Sequence, residues 1–367
     1  MSVFGNVMRF LLRKPALAIS KLFGANPKEG EVFAALDKLY STSQNDNAEN
    51  CISLNVRPND LVVIFSDQHK GNGNGADDFV SAEKNYIAAL EYYNRLDASF
   101  INLGDCEELW KFPLQSVEKG HPNAFKIERE FVQKNKLFKV FGNHDLYWSL
   151  IHNANINLKK LYYQNFPIYE AVRLNVQIED NGRLTIFCAH GHQGDKQSDG
   201  NPLSRWFVSS VWGPLQAFLQ ININSPASSQ WLKSVHNSIM YNWSKNKEKM
   251  ILITGHTHQP VFKSLTHIER LYLQLFRAKE KNDTDAISQI MNEIPYRAKD
   301  NDILSSEFMT MKPSYFNTGC CCYSDGTITG IEIQEGKIRL VKWHYVDGVP
   351  TRTIAEEESL KNVYAEV

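Results

Sequence analysis

Six of the eleven histidines in this sequence fall inside five short polar clusters, each directly after an apolar run. The clusters are Ser66-Asp67-Gln68-His69, Gly104-Asp105, Gly142-Asn143-His144-Asp145, His190-Gly191-His192 and Gly255-His256-Thr257-His258. Histidines placed for packing have no reason to gather at such junctions. Imidazole, carboxylate and amide oxygen are the donors that Zn, Mn or Fe take. Each cluster alone has a plain explanation: an Asp capping a turn, a common Gly-Asp pair, or a strand end that aims two alternate side chains one way. Five in one chain do not. Gly-Asn-His-Asp by itself arises by chance in a chain this long with a probability on the order of 10⁻³.

The elements that must position these clusters follow from the apolar pattern. Leu61 to Phe65 is a continuous apolar run of buried-strand length, and Phe79, Ala82, Tyr86, Leu90 and Tyr93 share one face of a helix. Phe100 to Leu103 is the next strand, the stretch around Phe125 to Phe131 the next helix, and Leu137 to Phe141 the third strand. Asp67, Asp105 and Asn143 are evenly spaced, 38 residues from one to the next. One strand, a crossover helix and two loops occupy that length, so the first three clusters are expected at the C-terminal ends of neighbouring strands. Leu184 to Ala189 and Met250 to Thr254 lead into the other two clusters, and 314–345 reads as strands closing a second sheet. The class is α/β. Helical insertions are expected at about 197–249 and 268–312.

The ordered set resembles the calcineurin-like metallophosphoesterases, whose pattern is D-x-H, G-D, G-N-H-D, a histidine in an H-G context, and G-H-x-H. All five blocks stand here without substitution, and the resemblance covers about residues 60–345. It implies a two-sheet β-sandwich flanked by helices. It further implies that Asp67, His69 and His258 hold one divalent cation, that Asn143, His190 and His256 hold another, and that Asp105 bridges them. His190 and His192 flank one glycine, and His190 is the family-like member of the pair. His192 stands behind it, and Asn317 lies where the last loop returns toward the site. The chain divides into an N-terminal basic segment and linker (1–50), a metallophosphoesterase domain (51–350) and a tail (351–367).

Two cations sharing a carboxylate lower the pKa of a bridging water, giving a hydroxide nucleophile near neutral pH, and neutralise phosphoryl oxygens. Mn is the expected metal, with Fe or Zn as alternatives. His144 is not needed as a ligand and is expected either to protonate the leaving oxygen as general acid or to stabilise the transition state as a cation, with Asp145 orienting its ring and raising its basicity. These readings point to a phosphoester hydrolase, of phosphodiesterase or pyrophosphatase type, acting on a lipid-linked or nucleotide-linked substrate. A nuclease, a cyclic-nucleotide phosphodiesterase and an inactive scaffold of the same fold are the rivals.

Substrate clues lie outside the five blocks. Gly104-Asp105 followed by Glu107, Glu108, Leu109 and Trp110 looks like the second block of the UDP-2,3-diacylglucosamine hydrolases, although those carry Arg where His144 stands. Residues 203–221 hold an aromatic stripe that reads as core packing or as a lid with a groove for acyl chains. Residues 1–28 carry five basic groups and no carboxylate, with apolar positions at helical spacing, so the segment is either a packed helix or a peripheral membrane contact. Lys70, Lys111 and Lys119 read as surface lysines near the metal edge. The net charge of −1 argues against bulk nucleic-acid coating, and nothing points to a protein partner. Six cysteines without a C-x-x-C spacing fit reduced thiols in a cytoplasmic setting, and Cys320-Cys321-Cys322 reads as small core residues rather than a third metal site.

Overall fold

The computed structural model describes residues 27–178, 182–194, 230–297 and 308–367. The basic segment except its last two residues, and the aromatic stripe 203–221, lie outside the described residues. Among the described residues one sheet has five strands, in the order β1 (Cys51–Val56), β6 (Ala171–Gln177), β7 (Arg183–Ala189), β8 (Met250–Thr254) and β9 (Tyr315–Asn317). The other has seven: β12 (Val349–Ser359), β11 (Lys337–Val346), β10 (Ile328–Gln334), β2 (Val62–Phe65), β3 (Ser99–Leu103), β4 (Leu137–Val140) and β5 (Ile168–Tyr169).

Alternation along the strands builds the layers. Val62 and Ile64 of β2, Ile101 of β3 and Val140 of β4 point between the sheets, where they meet Leu174, Ile186, Ile251 and Ile253. Val63, Phe65 and Phe100 point outward against Tyr86, Leu90 and Tyr93 of helix α2 (Glu83–Arg95) and Phe125 and Phe131 of helix α4 (Pro122–Gln133). Phe187, Ala189, Met250 and Leu252 point outward from the five-stranded sheet. They meet Val32 and Leu36 of helix α1 (Glu29–Ser43) and Met240 and Trp243 of helix α6 (Gln230–Ser244). The result is helices, sheet, sheet, helices. Strands buried on both faces read as unbroken apolar runs, which is why Leu61 to Phe65 shows no period of two.

β2, β3 and β4 are neighbours and run parallel, so the first three clusters leave one edge of one sheet. β7 and β8 are parallel neighbours in the other sheet and deliver their clusters to the same end. The two interruptions contain helices where described: α6 in the first, and α7 (His267–Glu280) and α8 (Thr284–Arg297) in the second. Thr266 and Glu269 form a reciprocal cap at the start of α7.

Three expectations are corrected. The C-terminal strands do not close a second sheet; only β9 joins the five-stranded one. β10 instead pairs antiparallel with β2, Ile331 opposite Ile64, and covers an edge that would otherwise be open. The segment 351–367 is no tail: β12 pairs with β11 over its length and helix α9 (Leu360–Glu366) packs Leu360 and Val363 into the core. Its acidic composition concealed a strand, because Glu356, Glu357 and Glu358 are matched across the fold by Arg270, Arg339 and Lys263. Within 1–50, read as a basic segment and linker, residues Glu29–Ser43 instead form helix α1, whose apolar face belongs to the core, while 44–50 are loop. Among the described residues no helix is long and apolar enough to cross a membrane.

Candidate metal centre

The loops leaving β2 and β3 continue side by side beyond their strands. Asp67 N donates to Gly104 O at 3.0 Å, His69 N to Asp105 O at 2.9 Å, and Lys70 N to Cys106 O at 3.1 Å. Asp67, His69, Asp105, His256 and His258 all have positive φ, between 49° and 69°. Non-glycine residues in this region are strained, and five at one spot mark a constellation that the surrounding packing holds in place. The motif glycines make room for it. A Cβ at Gly104 would lie 2.5 Å from His190 Nδ1, one at Gly142 would collide with Asp105 Oδ1, and one at Gly255 with Asp67 Oδ2.

Among the described residues the five clusters by themselves supply three groups of donor atoms, each lying within a mutual 4.8 Å: Asp67, His69 and His258; Asp105, His190 and His256; and His69, Asp105 and His144. His258 Nε2 is 3.2 Å from Asp67 Oδ1, and His190 Nε2 is 3.2 Å from Asp105 Oδ2, whose distance to His69 Nε2 is 3.7 Å. Asp105 thus stands between the two sets. Asp67 joins the sheets directly, accepting from His256 N at 2.9 Å and from Ser66 Oγ.

These residues fit divalent cations on an observation independent of the motifs. Asn143 Oδ1, His190 Nε2 and His256 Nε2 are buried and make no hydrogen bond. Orphaned buried polar atoms are costly, and three at one site call for a bound group. His190 Nδ1 donates to Leu103 O at 2.8 Å and fixes the ring with Nε2 facing Asp105. Burial opposes protonation of this ring, but the Asp105 and Asp67 carboxylates outweigh burial and raise its pKa to about 9, so a cation bound there takes the place of the Nε2 proton. Burial, reinforced by neighbouring His236 and His190, holds the His256 imidazole well below its usual pKa, in the neutral form that ligates metals. Burial opposes ionisation of Asp105, but the His190 and His144 rings outweigh it and keep the carboxyl well below the ordinary range.

His144 is only 17% exposed. Its Nδ1 lies 2.9 Å from Glu108 Oε2, and its ring stacks on Trp110 with centroids 4.1 Å apart. Asp145 does not orient it. That carboxylate accepts from Cys106 N at 2.7 Å and Gly142 N at 2.6 Å, tying the β3 and β4 loops together, and burial with Asp105 and Glu107 nearby raises its pKa to about 6. Glu108 takes the role expected of Asp145 and also meets His69 Nδ1 at 3.3 Å. It lies in a block that the sequence singled out, yet no spacing rule says its carboxylate crosses to His144. Glu108→Gln is expected to lower kcat by about 10- to 100-fold, the usual cost of a lost outer partner. Unchanged kcat and unchanged Mn²⁺ affinity would remove Glu108 from the site.

His192 is buried, its ring 5.4 Å from that of His190. Asn317 Nδ2 donates to Gly255 O at 2.6 Å and Thr254 Oγ1 at 3.0 Å, so it fastens the loop that carries His256 and His258. Two further supports come from α6: the His236 ring lies 5.0 Å from that of His256, and Asn237 Oδ1 accepts from Thr257 Oγ1 at 3.3 Å. No local pattern in the sequence marked either.

Lys70 is not a surface lysine. It is buried with Lys139, Glu107 and Glu128, Lys70 Nζ lying 2.5 Å from Glu128 Oε1 and Lys139 Nζ 2.7 Å from Glu107 Oε1. This network braces the loop behind Glu108. Lys111 stays partly exposed, 3.4 Å from Glu108 Oε2.

No family model matches the sequence, and no curated protein matches it. Among solved structures, Vacuolar Protein Sorting 29 from Cryptosporidium parvum shares 15% identity over 82% of this chain and 98% of its own, with a TM-score of 0.32. A single mutant of Vps29 from Entamoeba histolytica shares 12% over 81% and 99%, with a TM-score of 0.27. A dimetal phosphatase from Danio rerio shares 9% over 82% and 100%, with a TM-score of 0.33. TM-scores this low leave the functional reading to rest on the residues and geometry above.

Proposed function

We propose that this chain is a dinuclear-metal phosphoester hydrolase of the calcineurin-like metallophosphoesterase type. The observation that carries the reading is the set of buried, unpartnered donor atoms on Asn143, His190 and His256, beside a carboxylate shared with a second donor set. Asp67, His69 and His258 would hold one cation, Asn143, His190 and His256 the other, and Asp105 both. When bound, two such cations supply Lewis acidity toward phosphoryl oxygens and a nucleophilic water at neutral pH, with Mn²⁺ the first candidate.

The chain's own residues supply the rest. The bond between His144 Nδ1 and Glu108 leaves Nε2 as the nitrogen for the substrate and fixes the ring's orientation. Trp110 restrains that ring through stacking. His144 then gives its proton to the leaving oxygen. A phosphodiester or pyrophosphate with a lipid-linked or nucleotide-linked leaving group suits a site with an aromatic side chain beside its acid.

The test is metal analysis of purified protein followed by a substrate panel in Mn²⁺: bis-p-nitrophenyl phosphate, UDP-diacylglucosamine, cyclic nucleotides, nucleotide sugars and single-stranded nucleic acid. About two cations per chain are expected, with hydrolysis abolished by chelation and restored by Mn²⁺. Bound cations without turnover on any substrate would leave a binding scaffold, and a chain that takes up no divalent cation would sink the reading.

A further inference from the structure

Cys320 and Cys322 flank a bend at Cys321, just after β9. The expectation that these cysteines are merely small core residues holds for Cys321, whose Sγ faces Thr329 O. The bend turns the other two toward His258, and a ring nitrogen of His258 and both sulfur atoms lie within a mutual 4.8 Å. Cys322 Sγ is 3.9 Å from His258 Nδ1, the nitrogen across the ring from the Nε2 that meets Asp67. Cys320 is buried and Cys322 partly exposed, so Cys322 is the member of the pair nearer solvent. The surrounding chain is well anchored. Cys321 N donates to Asp67 O at 3.1 Å, Thr329 N to Cys320 O at 3.0 Å, and Tyr323 OH to His258 O at 2.9 Å.

We propose that Cys320 and Cys322 form a peroxide-sensitive thiol pair whose oxidation to a disulfide loosens the cation held by Asp67, His69 and His258. The cation half of this inference rests on the dinuclear reading above. In the reduced state, sulfur stands where a ligating histidine normally finds the acceptor for its outer N–H. Oxidation proceeds in two balanced steps. The Cys322 sulfur attacks one oxygen of hydrogen peroxide, the O–O bond breaks, and a sulfenic acid forms as the departing hydroxide takes up the thiol proton to leave as water. The Cys320 sulfur then attacks the sulfenic sulfur, an S–S bond replaces the S–O bond, and a second water leaves with the Cys320 proton. Two thiols are oxidised by two electrons and one peroxide is reduced to two waters. Closing the S–S bond draws both sulfurs together and away from Nδ1, and a disulfide is a poor acceptor, so His258 loses its support.

The experiment treats the metal-loaded full chain with hydrogen peroxide, then reads the mass of the peptide spanning the three cysteines and the cation content. Wild type and Cys321→Ser are expected to lose about 2 Da in that peptide, the mass of the two hydrogens removed. Their cation content should fall from about two to about one per chain, and dithiothreitol with Mn²⁺ should restore both values. Cys322→Ser is expected to show neither change. A mass loss that persists in Cys322→Ser, oxidation that stops at sulfinic acid, or a disulfide that leaves the cations in place each overturns the proposal. Reduced protein that binds no cation overturns the dinuclear reading and the cation half with it, while the mass shift still decides the thiol pair.

Discussion

Asp105→Asn is expected to reduce bound Mn²⁺ from about two ions per chain to one or fewer and to cut phosphodiester turnover by more than about 10³-fold, at or beyond the loss caused by removing one electrostatic group from an active site. The side chain stands between both donor sets, 3.2 Å from His190 Nε2 and 3.7 Å from His69 Nε2. Asparagine keeps the volume and the Oδ1 that accepts from His144 N at 2.7 Å, so the loop retains its anchor and the fold its packing. What it removes is a full negative charge in a buried pocket, where an uncompensated cation is expensive. Metal content by mass spectrometry, Mn²⁺ titration calorimetry and kcat on one preparation test this together. Two bound cations with wild-type kcat would show that Asp105 bridges nothing.

His144→Ala is expected to keep both cations and lose about 10²- to 10⁴-fold in kcat, the range for a positioned general acid. The dependence on leaving group carries more information than the mean loss. Turnover of an aryl ester, whose leaving oxygen needs little protonation, should fall least, and that of an alkyl ester most. A ligand role makes the opposite prediction, since it removes a cation and slows every substrate alike. The geometry makes that contrast worth measuring, because a His144 nitrogen lies within 4.8 Å of donor atoms on His69 and Asp105. Loss of a cation in His144→Ala would move this residue from acid to ligand.

The five clusters and the strands that deliver them were legible because both are local. An apolar run followed at once by ligand-type side chains encodes a buried strand and its exit loop, and the 38-residue spacing of Asp67, Asp105 and Asn143 encodes neighbouring parallel strands. The glycines of those clusters were legible as turn residues, but not as the space that Asp67, Asp105 and His190 occupy. The α1 helix was missed because a polar stretch and a basic segment border it, and β12 because its glutamates look like a solvated tail until cations from other elements are placed opposite them. Glu108 displaced Asp145 as the partner of His144 for a similar reason. Adjacency in sequence made Asp145 the natural partner of His144, yet its carboxylate turns inward to two backbone N–H groups, and Glu108, delivered by the neighbouring strand, meets the ring.

From its sequence alone, this protein is an α/β chain whose donor atoms are chosen for divalent cations, since residue type and strand-exit position are properties of short segments. Only the tertiary structure decided which sheet each C-terminal strand joins, which carboxylate meets the His144 ring, and that Cys320 and Cys322 stand beside His258. Those outcomes depend on pairings between residues far apart in the chain, fixed when two sheets close on a shared core and bring their loop ends to one edge.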